Sequence, residues 1–554
     1  ENDDIDEAAS ILKRLTKTHS QWEPPWFTLI ELTLSKRITA RDRELEIWLR
    51  WLDHPSRKKN IIALYLKSLN AEINKELIKA QNLLRKCLEQ QPGFTPAVER
   101  LATLYLKSGN WADAEQILLK QIEKNSDKAH LLTNLSVALM RQNKSEEAQE
   151  FAEKALEKAL PQQIASIHVN LGTILQERGL RKKASTHYEA ALSIEPEHIN
   201  ANMNLGVIAM QEKRLIQAEK LFRKTLSQQP ENIHAGVNLA GVLLLQGQYE
   251  EGWSYYDTRL TEHSKIINKP NGLKQWTGEV LEGSLILVHE QGLGDTFQFI
   301  RFAAKLQEQH QRCFFRGPKK LHGIIKKSGL VLECISENDP IPEDAEAWAP
   351  LMSLPRLLQH SLPNPFGEKN PYLKSEQNKL TEWSAILEKK KNIRIALHWQ
   401  GNPDHEFTIS RGRSFKLETL FPLFDLEDVE WIYLQKGPGS EQAKTNIHTI
   451  QWHLNQPKIN TSWDFEDNAA ILQCCDLLIS SDSGLAHLAG GLGVPVWLML
   501  PWLAEWRWGL EGSTTRWYEH HRLYRQQQEG NWKSVVDEIR EHLIEHISNK
   551  NSFS

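Results

Sequence analysis

The chain has 554 residues, of which 67 are Lys or Arg and 71 are Asp or Glu, so its formal net charge is −4. That length allows roughly two to four domains that each bury a core. The near-neutral charge argues against a protein that binds nucleic acid through a basic surface. Five cysteines without a C-x-x-C pair exclude a disulfide framework and a structural zinc site, and they favour a reducing, cytoplasmic compartment.

The N-terminal region, residues 1–75, carries tryptophans among apolar neighbours and is predicted to be helical. It stands outside the repeat that follows, so we expect it to cap that repeat. The sequence begins at Glu1, which leaves open whether a targeting segment precedes it.

Two columns of apolar and small residues recur through the first half of the chain. The spacing within both columns is 34, 36, 34 and 34 residues. The first column consists of Leu101, Leu135, Leu171, Leu205 and Leu239, and the second of Ala114, Ala148, Ala184, Ala218 and Gly252. Each unit is predicted to form two amphipathic helices, as in residues 235–245 followed by 249–260. The small residues let the two helices approach closely.

This pattern resembles the tetratricopeptide repeat over residues 76–261. The resemblance implies a superhelix of stacked helix pairs with a concave groove for peptides or partner proteins. Repeat proteins of this kind can pair, so a homodimer is left open.

An asparagine precedes the leucine in four of the units, at Asn134, Asn170, Asn204 and Asn238. A primary amide carries both an acceptor and donors, so such a ladder can hydrogen-bond an extended peptide backbone without reading its sequence. Protein O-GlcNAc transferases have a ladder at the equivalent repeat position, and that resemblance implies peptide binding here. The alternative is that these are ordinary polar residues of the repeat consensus.

After a polar linker at residues 262–283, strand signals begin. The apolar run 285–288 is predicted to be a buried strand, followed by a glycine turn and a helix with Phe299, Ala303 and Leu306 on one side. The turn contains the candidate acceptor-side or sugar-side residues His289, Gln291, Gly292 and Gly294, and then Asp295. Glycines there permit close backbone approach to a ligand. The turn lacks the third glycine of the dinucleotide-binding fingerprint.

Two further strand ends carry polar and basic residues. Strands are predicted at 395–398 and 431–434. The residues after them that could hold phosphate or ribose are Asn402, His405, Arg411, Arg413 and Lys436. Guanidinium groups suit phosphate, although solvent exposure is the default for any surface cation.

A second polar turn follows the predicted strand 476–480 and opens a short helix. Its residues Ser483, Gly484 and His487 are the best candidates for a diphosphate site, because first-turn amides and the helix dipole offset negative charge without a metal. Asp482 either orients this turn or contacts the ligand, and His487 is either a ligand contact or a buried histidine with its own partners. The uncharged stretch 483–504 has a Gly-Val-Pro centre, which predicts a helix and a buried strand rather than a membrane span.

Six motifs together resemble the family 9, heptosyltransferase-like glycosyltransferases. They are EQGLGD at 290–295, PLMSLP at 350–355, HWQGNP at 398–403, DF-x-D at 464–467, SDSG-x-x-H at 481–487 and WRW at 506–508. The likeness extends to bacterial members that fuse tetratricopeptide repeats to this domain, as in flagellin glycosyltransferases, and it covers roughly residues 90–545. The turn 483–487 departs from the Thr-Ala-Val-Ala-His common in that branch, which leaves the donor open.

The family resemblance implies a GT-B fold, with two Rossmann-like halves facing a cleft. Residues 284–385 would form the acceptor half, and residues 386–554, including a C-terminal amphipathic helix, the nucleotide-sugar half. It also implies metal-independent, inverting transfer in which Asp295 is the general base. The alternative role of Asp295 is to cap the following helix. Trp506 either stacks on a base or sugar or packs in the core.

The combined expectation is a cytoplasmic protein O-glycosyltransferase that moves a sugar from a nucleotide-sugar to Ser or Thr, with no cofactor and no metal. Its partners would be the nucleotide-sugar and a protein or peptide acceptor, without nucleic acid or a membrane span. Two alternatives stay open: a glycan acceptor, as for heptosyltransferases, and a catalytically silent repeat scaffold. The sequence names neither the nucleotide nor the sugar.

Overall fold

A computed structural model of the chain describes residues 2–19, 23–34, 42–54, 60–123, 128–260, 267–358, 366–367, 371–388, 393–403, 406, 412–445, 450–462 and 464–551. The chain divides into two compact units, Glu1–Ile208 and Ala209–Ser554.

The first unit is helical. Its helices are α1 Asn2–Thr18, α2 Glu23–Leu34, α3 Asp42–Leu52, α4 Ile61–Ile73, α5 Leu77–Gln90, α6 Thr95–Ser108, α7 Trp111–Ile122, α8 Ala129–Met140, α9 Ser145–Glu157, α10 Pro161–Glu177, α11 Arg181–Ile194 and α12 Ile199–Gln211, the last of which crosses the boundary between the units. From α4 to α11, consecutive helices pack as pairs. The predicted helical repeats are therefore confirmed.

Both repeating columns lie inside the helix pairs. Ala114, Ala148 and Ala184 have no exposed surface, and Leu135 and Leu171 are equally buried. Small side chains in the second column allow the two helices of a pair to approach, as their spacing predicted.

Gly172 of α10 shows how tightly one pair is packed. A Cβ atom at this position would lie 2.5 Å from Cε1 of Tyr188 in α11. Tyr188 is fully buried, and its hydroxyl donates to Oε1 of Gln176 at 3.0 Å. The ring is held in place, so it fills the space that a larger residue at 172 would need.

The second unit begins with the last helices of the repeat region: α13 Leu215–Gln228, α14 Ile233–Leu245 and α15 Tyr249–Tyr256. A 3₁₀ segment, Asp257–Leu260, continues from α15. The predicted helices at 235–245 and 249–260 are confirmed, with the final turn of the second tightened to 3₁₀ geometry.

Two five-stranded parallel sheets follow, each accompanied by helices. The strands are β1 Lys274–Gln275, β2 Ser284–Val288, β3 Cys313–Arg316, β4 Glu333–Ile335, β5 Ala345–Pro350, β6 Ile393–His398, β7 Val429–Tyr433, β8 Leu477–Ser481, β9 Val496–Leu500 and β10 His521–Arg525. The first sheet has the strand order β1-β5-β2-β3-β4 and the second β10-β9-β8-β6-β7. The predicted strands are confirmed, and β2 and β8 are completely buried, as expected of strands inside parallel sheets.

The helices of this region connect or cover the strands. They are α16 Leu293–Phe299, α17 Phe302–Glu308, α18 His322–Ser328, α19 Leu354–Leu357, α20 Gln377–Leu387, α21 Ser440–Thr445, α22 Gln456–Thr461, α23 Phe465–Gln473, α24 Gly484–Leu492 and α25 Lys533–Asn551. The prediction that a single helix carries Phe299, Ala303 and Leu306 is wrong, because this segment divides into α16 and α17. Between them, buried Arg301 donates from Nε to the carbonyl of Gln298 at 2.8 Å and supplies a side-chain partner for that backbone group.

The uncharged stretch 483–504 forms α24 and β9, as predicted. Across the part of the chain that the structure describes, no helix combines the length and the apolar character needed to cross a bilayer.

The packing at Gly172 predicts opposite effects for two helical glycines. Gly172→Ala should lower the free energy of unfolding by about 1–3 kcal/mol, because the new methyl group overlaps the Tyr188 ring. Gly241→Ala in α14 is the matched control: a Cβ there meets nothing within 4 Å. Its better helix propensity should raise stability by up to about 1 kcal/mol. Denaturant unfolding monitored by circular dichroism checks both, and equal effects of the two changes would contradict this packing.

Candidate functional site

The turns that follow β2 and β8 meet through two glycines. A Cβ atom on Gly294, in the first turn of α16, would lie 3.0 Å from Cα of Gly484 and 2.9 Å from Cδ2 of His487. Gly484 begins α24. The N-terminal turns of the two helices therefore touch backbone to backbone, and a side chain at 294 would separate them. Both residues were predicted as ligand contacts, and the structure gives them this packing contact.

Asp295 lies at the third position of α16, and both of its carboxylate oxygens have partners. Oδ2 accepts the N–H of Gly292 at 2.9 Å, and Oδ1 accepts Nη2 of Arg507 at 2.8 Å. The N-cap residue is Gly292, so Asp295 secures the helix start from inside rather than as the cap itself. An ionised carboxylate has about four lone-pair sites, so acceptor capacity remains on the 15% of the side chain that is exposed.

Arg507 is the centre of a buried charge cluster. Its guanidinium contacts Asp295, Oε2 of Glu505 at 2.5 Å and Oε1 of Gln298 at 2.5 Å, and its side chain is 4% exposed. The Trp-Arg-Trp motif at 506–508 did not predict a role for Arg507. Its charge and its place between two tryptophans were the only signals, because its carboxylate partner Asp295 lies 212 residues away in the chain.

Two further acids belong to this cluster. Burial raises the pKa of Glu505 to about 7, with Arg507 opposing the shift and the charges of Asp482 and Asp295 adding to it. Burial likewise raises the pKa of Asp482 at the end of β8, although Arg507 and Arg413 favour its ionised form. The carboxyl groups of Asp295, Glu505 and Asp482 thus compete for the positive charge of Arg507.

His487 is buried in α24 with partners of its own. Nδ1 is 2.8 Å from the hydroxyl of Tyr518, and the ring stacks on Trp508 at 5.4 Å between centroids. Burial, reinforced by Arg507, lowers its pKa well below the ordinary value, which keeps the imidazole neutral. Nε2 lies 4.0 Å from Oδ1 of Asp482.

The serines of the turn before α24 are buried. Ser483 is the N-cap, and its Oγ lies 3.2 Å from Oγ of Ser480. The buried Oγ of Ser481 has no hydrogen-bond partner among the described residues. The first N–H groups of a helix have no acceptor within the helix, so α24 presents donors at this turn.

Arg413 approaches the same cluster from the strand β6 side. A Cβ on Gly401 would lie 3.1 Å from its Nε, which is buried without a hydrogen-bond partner in the described part of the chain and 3.7 Å from Oε1 of Glu406. Its charge favours the ionised forms of Asp482 and Glu505, and it acts with burial to lower the pKa of buried His398 to about 4.

Lys436, Asn402, Arg411 and His405 are the other residues predicted to contact phosphate or ribose. Lys436 donates from Nζ to the carbonyl of Ile459 at 2.5 Å, and burial lowers its pKa to about 8 with Asp467 opposing. Asn402 is exposed after β6. Arg411 and His405 lie outside the described residues.

The other residues of the first turn have structural neighbours. Nδ1 of His289 lies 2.6 Å from Oγ1 of Thr296, and burial lowers the pKa of His289. Gln291 has a φ of 58° and donates to the hydroxyl of Tyr256 at 3.4 Å.

Trp506 packs edge-on against the last repeat helix. Its ring centroid lies 5.2 Å from that of Trp253 and 5.9 Å from that of Tyr256, both in α15. These contacts agree with the core-packing alternative for Trp506.

The four asparagines all lie on the first helix of their pair and are half-buried. Asn170 donates from Nδ2 to Oγ of Ser136 at 2.5 Å, and Asn204 donates to the hydroxyl of Tyr188 at 3.2 Å. In these two positions the amide N–H links neighbouring helices. The carbonyl oxygen of the same amide retains the capacity to accept a hydrogen bond.

Within the described residues, no three or more His, Cys, Asp or Glu side chains are grouped so that they could hold a metal ion.

Three stretches of the chain, residues 74–130, 129–159 and 169–233, match tetratricopeptide repeat families. The chain therefore contains tetratricopeptide repeats. Protein FlbA of Caulobacter vibrioides is 26% identical over 331 residues, which cover 54% of this chain and 53% of FlbA. The chain thus spans about half the length of that relative.

Solved structures similar to part of the chain include PilF of Pseudomonas aeruginosa and a MamA protein. MamA is 21% identical over 29% of this chain and 94% of its own, with a TM-score of 0.27. PilF is 19% identical over 38% of this chain and 95% of its own, with a TM-score of 0.33.

The raised pKa of Glu505 predicts a pH-dependent stability difference. The unfolded chain loses this proton near pH 4.5 and the folded chain near pH 7, so the folded state binds more protons between these values. The contribution of Glu505 to stability therefore falls as pH rises through that window. Relative to Glu505→Gln, the native chain should lose on the order of 2 kcal/mol between pH 4.5 and 7.

Denaturant unfolding across this pH range measures the difference. Glu519→Gln, which removes an exposed carboxylate, is the control. Its free energy of unfolding should change with pH in parallel with that of the native chain. A constant offset between the native chain and Glu505→Gln would show that the Glu505 proton is not retained on folding.

Proposed function

We propose that the chain is an inverting glycosyltransferase that moves a sugar from a nucleotide-sugar to a Ser or Thr hydroxyl of a protein. The observation that carries this proposal is the backbone contact between Gly294 and Gly484, because it brings Asp295 to the opening turn of α24. Such a transfer needs a base for the acceptor hydroxyl and positive charge for the departing phosphate, only a few ångströms apart. Two five-stranded parallel sheets in one unit support the two Rossmann-like halves of a GT-B fold.

Asp295 would act as the base. The acceptor oxygen attacks the anomeric carbon, the bond from that carbon to the phosphate oxygen breaks with its electron pair, and the hydroxyl proton passes to the carboxylate. Arg507 contacts Asp295 directly, while Glu505 and Asp482 compete for the same cation. Attack on the face opposite the leaving group inverts the configuration of the sugar.

The leaving phosphate would bind at the turn 483–487. The N–H groups of Ser483 and Gly484 and the dipole of α24 offer partial positive charge there. Arg413 supplies a full charge, and its buried Nε has no hydrogen-bond partner in the described chain. This charge would let the reaction proceed without a metal. Arg411 and Lys436 stay proposed as phosphate contacts, Asn402 and His405 as contacts of phosphate or ribose, and His289 and Gln291 as contacts of the acceptor or sugar.

The repeats would capture the acceptor polypeptide. Asn170 and Asn204 commit an N–H to a neighbouring helix, which orients each amide and leaves its carbonyl to accept a backbone N–H of an extended peptide. A glycan acceptor needs no such row of amides. We propose a cytoplasmic setting, with a protein acceptor and a nucleotide-sugar donor as the two partners.

A second candidate is a repeat scaffold whose α/β region is catalytically silent. One observation favours it: both oxygens of Asp295 already have partners, so the carboxylate is committed to the helix start and to Arg507. A transferase with a glycan acceptor is the other alternative.

Substitution of Asp295 tests the proposed transfer. Asp295→Asn keeps the side-chain shape but cannot take a proton, so transfer should fall at least about 100-fold. Asp344→Asn is the matched control, because Asp344 also pairs with an arginine, Arg312, at 2.9 Å, but at the amino-terminal end of the same sheet. The measurement is intact mass spectrometry of Ser/Thr-rich surface proteins co-produced with each form.

The native chain and Asp344→Asn should add a discrete sugar-sized mass that is missing with Asp295→Asn. A mass increment that persists with Asp295→Asn would refute the base. If no protein gains mass with the native chain, the protein acceptor is refuted, and glycan profiling then separates a glycan transferase from a silent scaffold.

The asparagine row predicts a selective effect on the acceptor. Asn134→Ala should raise the KM for peptide acceptors by about threefold, the worth of one net hydrogen bond, and leave nucleotide affinity unchanged. Gln149→Ala, which removes an amide from α9 in the same repeat, is the control. Steady-state kinetics with peptides of increasing length measures both, and equal KM values for the native chain and Asn134→Ala would count against peptide capture at this row.

A further inference from the structure

The end of the repeat region places a buried arginine beside the turn that contains Asp295. Arg259 lies in the 3₁₀ segment after α15, and its side chain is 3% exposed. Its Nε donates to Oε2 of Glu290 at 2.8 Å and its Nη2 to Oε1 of Glu290 at 2.9 Å, while the Glu290 side chain is fully buried. Burial lowers the pKa of Arg259, but the Glu290 carboxylate more than offsets this and the pKa is raised.

This fork joins three parts of the second unit. Oε1 of Glu290 also accepts the N–H of Met352 at 2.8 Å, which ties the end of β2 to the segment after β5. Nη2 of Arg259 reaches Oγ of Ser353 at 3.1 Å, and Oγ of Ser353 donates to Oδ1 of Asp257 at 2.7 Å. Every oxygen of Glu290 is therefore held by a group with a fixed position, which is the condition under which a buried ion pair becomes rigid.

Glu290 is the first residue of the turn 290–295, which ends at Asp295. Gln291, the next residue, has a φ of 58°, a left-handed conformation that a non-glycine residue adopts only when its surroundings hold it. Gly292 follows and donates its N–H to Asp295. Displacement of Glu290 would therefore move the start of α16 and the carboxylate that α16 carries.

The same repeat segment also contacts the other side of the cluster. The Arg259 guanidinium lies 4.5 Å from the centroid of the Tyr256 ring, and that ring packs against Trp506, the neighbour of Arg507. Burial raises the pKa of Tyr256; the charge of Asp295 raises it further, and the charge of Arg507 lowers it. The last repeat thus touches Gln291, in the turn that leads to Asp295, and Trp506, the residue before Arg507.

We propose that Arg259 is a positioning residue through which the final repeat sets the conformation of the turn 290–295 and hence the orientation of Asp295. The proposal rests on the proposed function for its catalytic meaning, but the structural coupling is measurable without any substrate. Arg259 does not touch the reacting groups, so it acts through Glu290.

Hydrogen exchange of the full chain, read by mass spectrometry over residues 289–299, tests this role. Arg259→Lys keeps the charge but cannot form both bonds of the fork, and Arg259→Met removes the charge. Both should speed exchange in this segment by about tenfold, while β8 and α24 exchange as in the native chain. Arg223→Met is the matched control, because Arg223 makes a forked pair with Glu251 at 2.7 and 2.7 Å on α13 and α15.

Arg259→Lys decides the result if Arg259→Met fails to fold with Glu290 left unpaired. Native-like exchange of 289–299 in Arg259→Lys would overturn the proposal. An equal rise in the exchange rate of β8 and α24 would also overturn it, because it would signify general destabilisation. An equal rise in the exchange rate of 289–299 in Arg223→Met would overturn it as well. Where transfer is measured, Arg259→Lys should lower kcat at unchanged nucleotide affinity. If the native chain transfers no sugar, the proposed function fails while the exchange result still decides the coupling.

Discussion

The buried guanidinium of Arg507 is the interaction on which the arrangement of the site depends. A charge removed from water must be matched by acceptors at close range, and here the carboxyl groups of Asp295 and Glu505 lie at 2.8 and 2.5 Å. The pair ties the turn after β2 in the first sheet to the 3₁₀ segment Trp506–Trp508 that follows β9 in the second. Asp482 adds a third carboxyl group: burial raises its pKa, and the charge of Arg507 opposes that shift.

A steric constraint complements this electrostatic one. Gly294 and Gly484 allow the first turns of α16 and α24 to touch, and the charges of Arg413 and Asp295 both act on Glu505. The final repeat helix belongs to the same packed region, because Trp253 and Tyr256 pack into the α/β core and Arg259, which follows them, pairs with Glu290 there. The boundary between the two compact units falls before α13, which places the last repeat helices with the sheets.

Local signals in the sequence predicted most of the architecture. The 34-residue columns identified the helix pairs, and short apolar runs before glycine turns identified β2, β6 and β8. Parallel strands place their carboxyl ends at one edge of a sheet, so Asp295 and the turn 483–487 could be assigned to strand ends from sequence alone.

Long-range pairs could not be predicted in the same way. Arg507 and Asp295 are 212 residues apart and Arg259 and Glu290 are 31 apart, and nothing in their local sequence states which cation meets which acid. At the break between α16 and α17, the Arg301 side chain bonds to the carbonyl of Trp517 and the hydroxyl of Tyr372, which are distant in sequence. Trp506 was ambiguous for a related reason, because its neighbours Trp253 and Tyr256 belong to a repeat helix.

The most direct test of the central claim is whether the opening turn of α24 binds a nucleotide beside Asp295. Hydrogen exchange at residues 483–487 and 292–296 of the intact chain would be compared with and without UDP, GDP, ADP, CDP and CMP. A nucleotide-sugar site predicts that one of these slows exchange in both segments by about tenfold, and that Arg413→Met abolishes the effect. Unchanged exchange in both segments with all five nucleotides would contradict a transferase site and favour a scaffold.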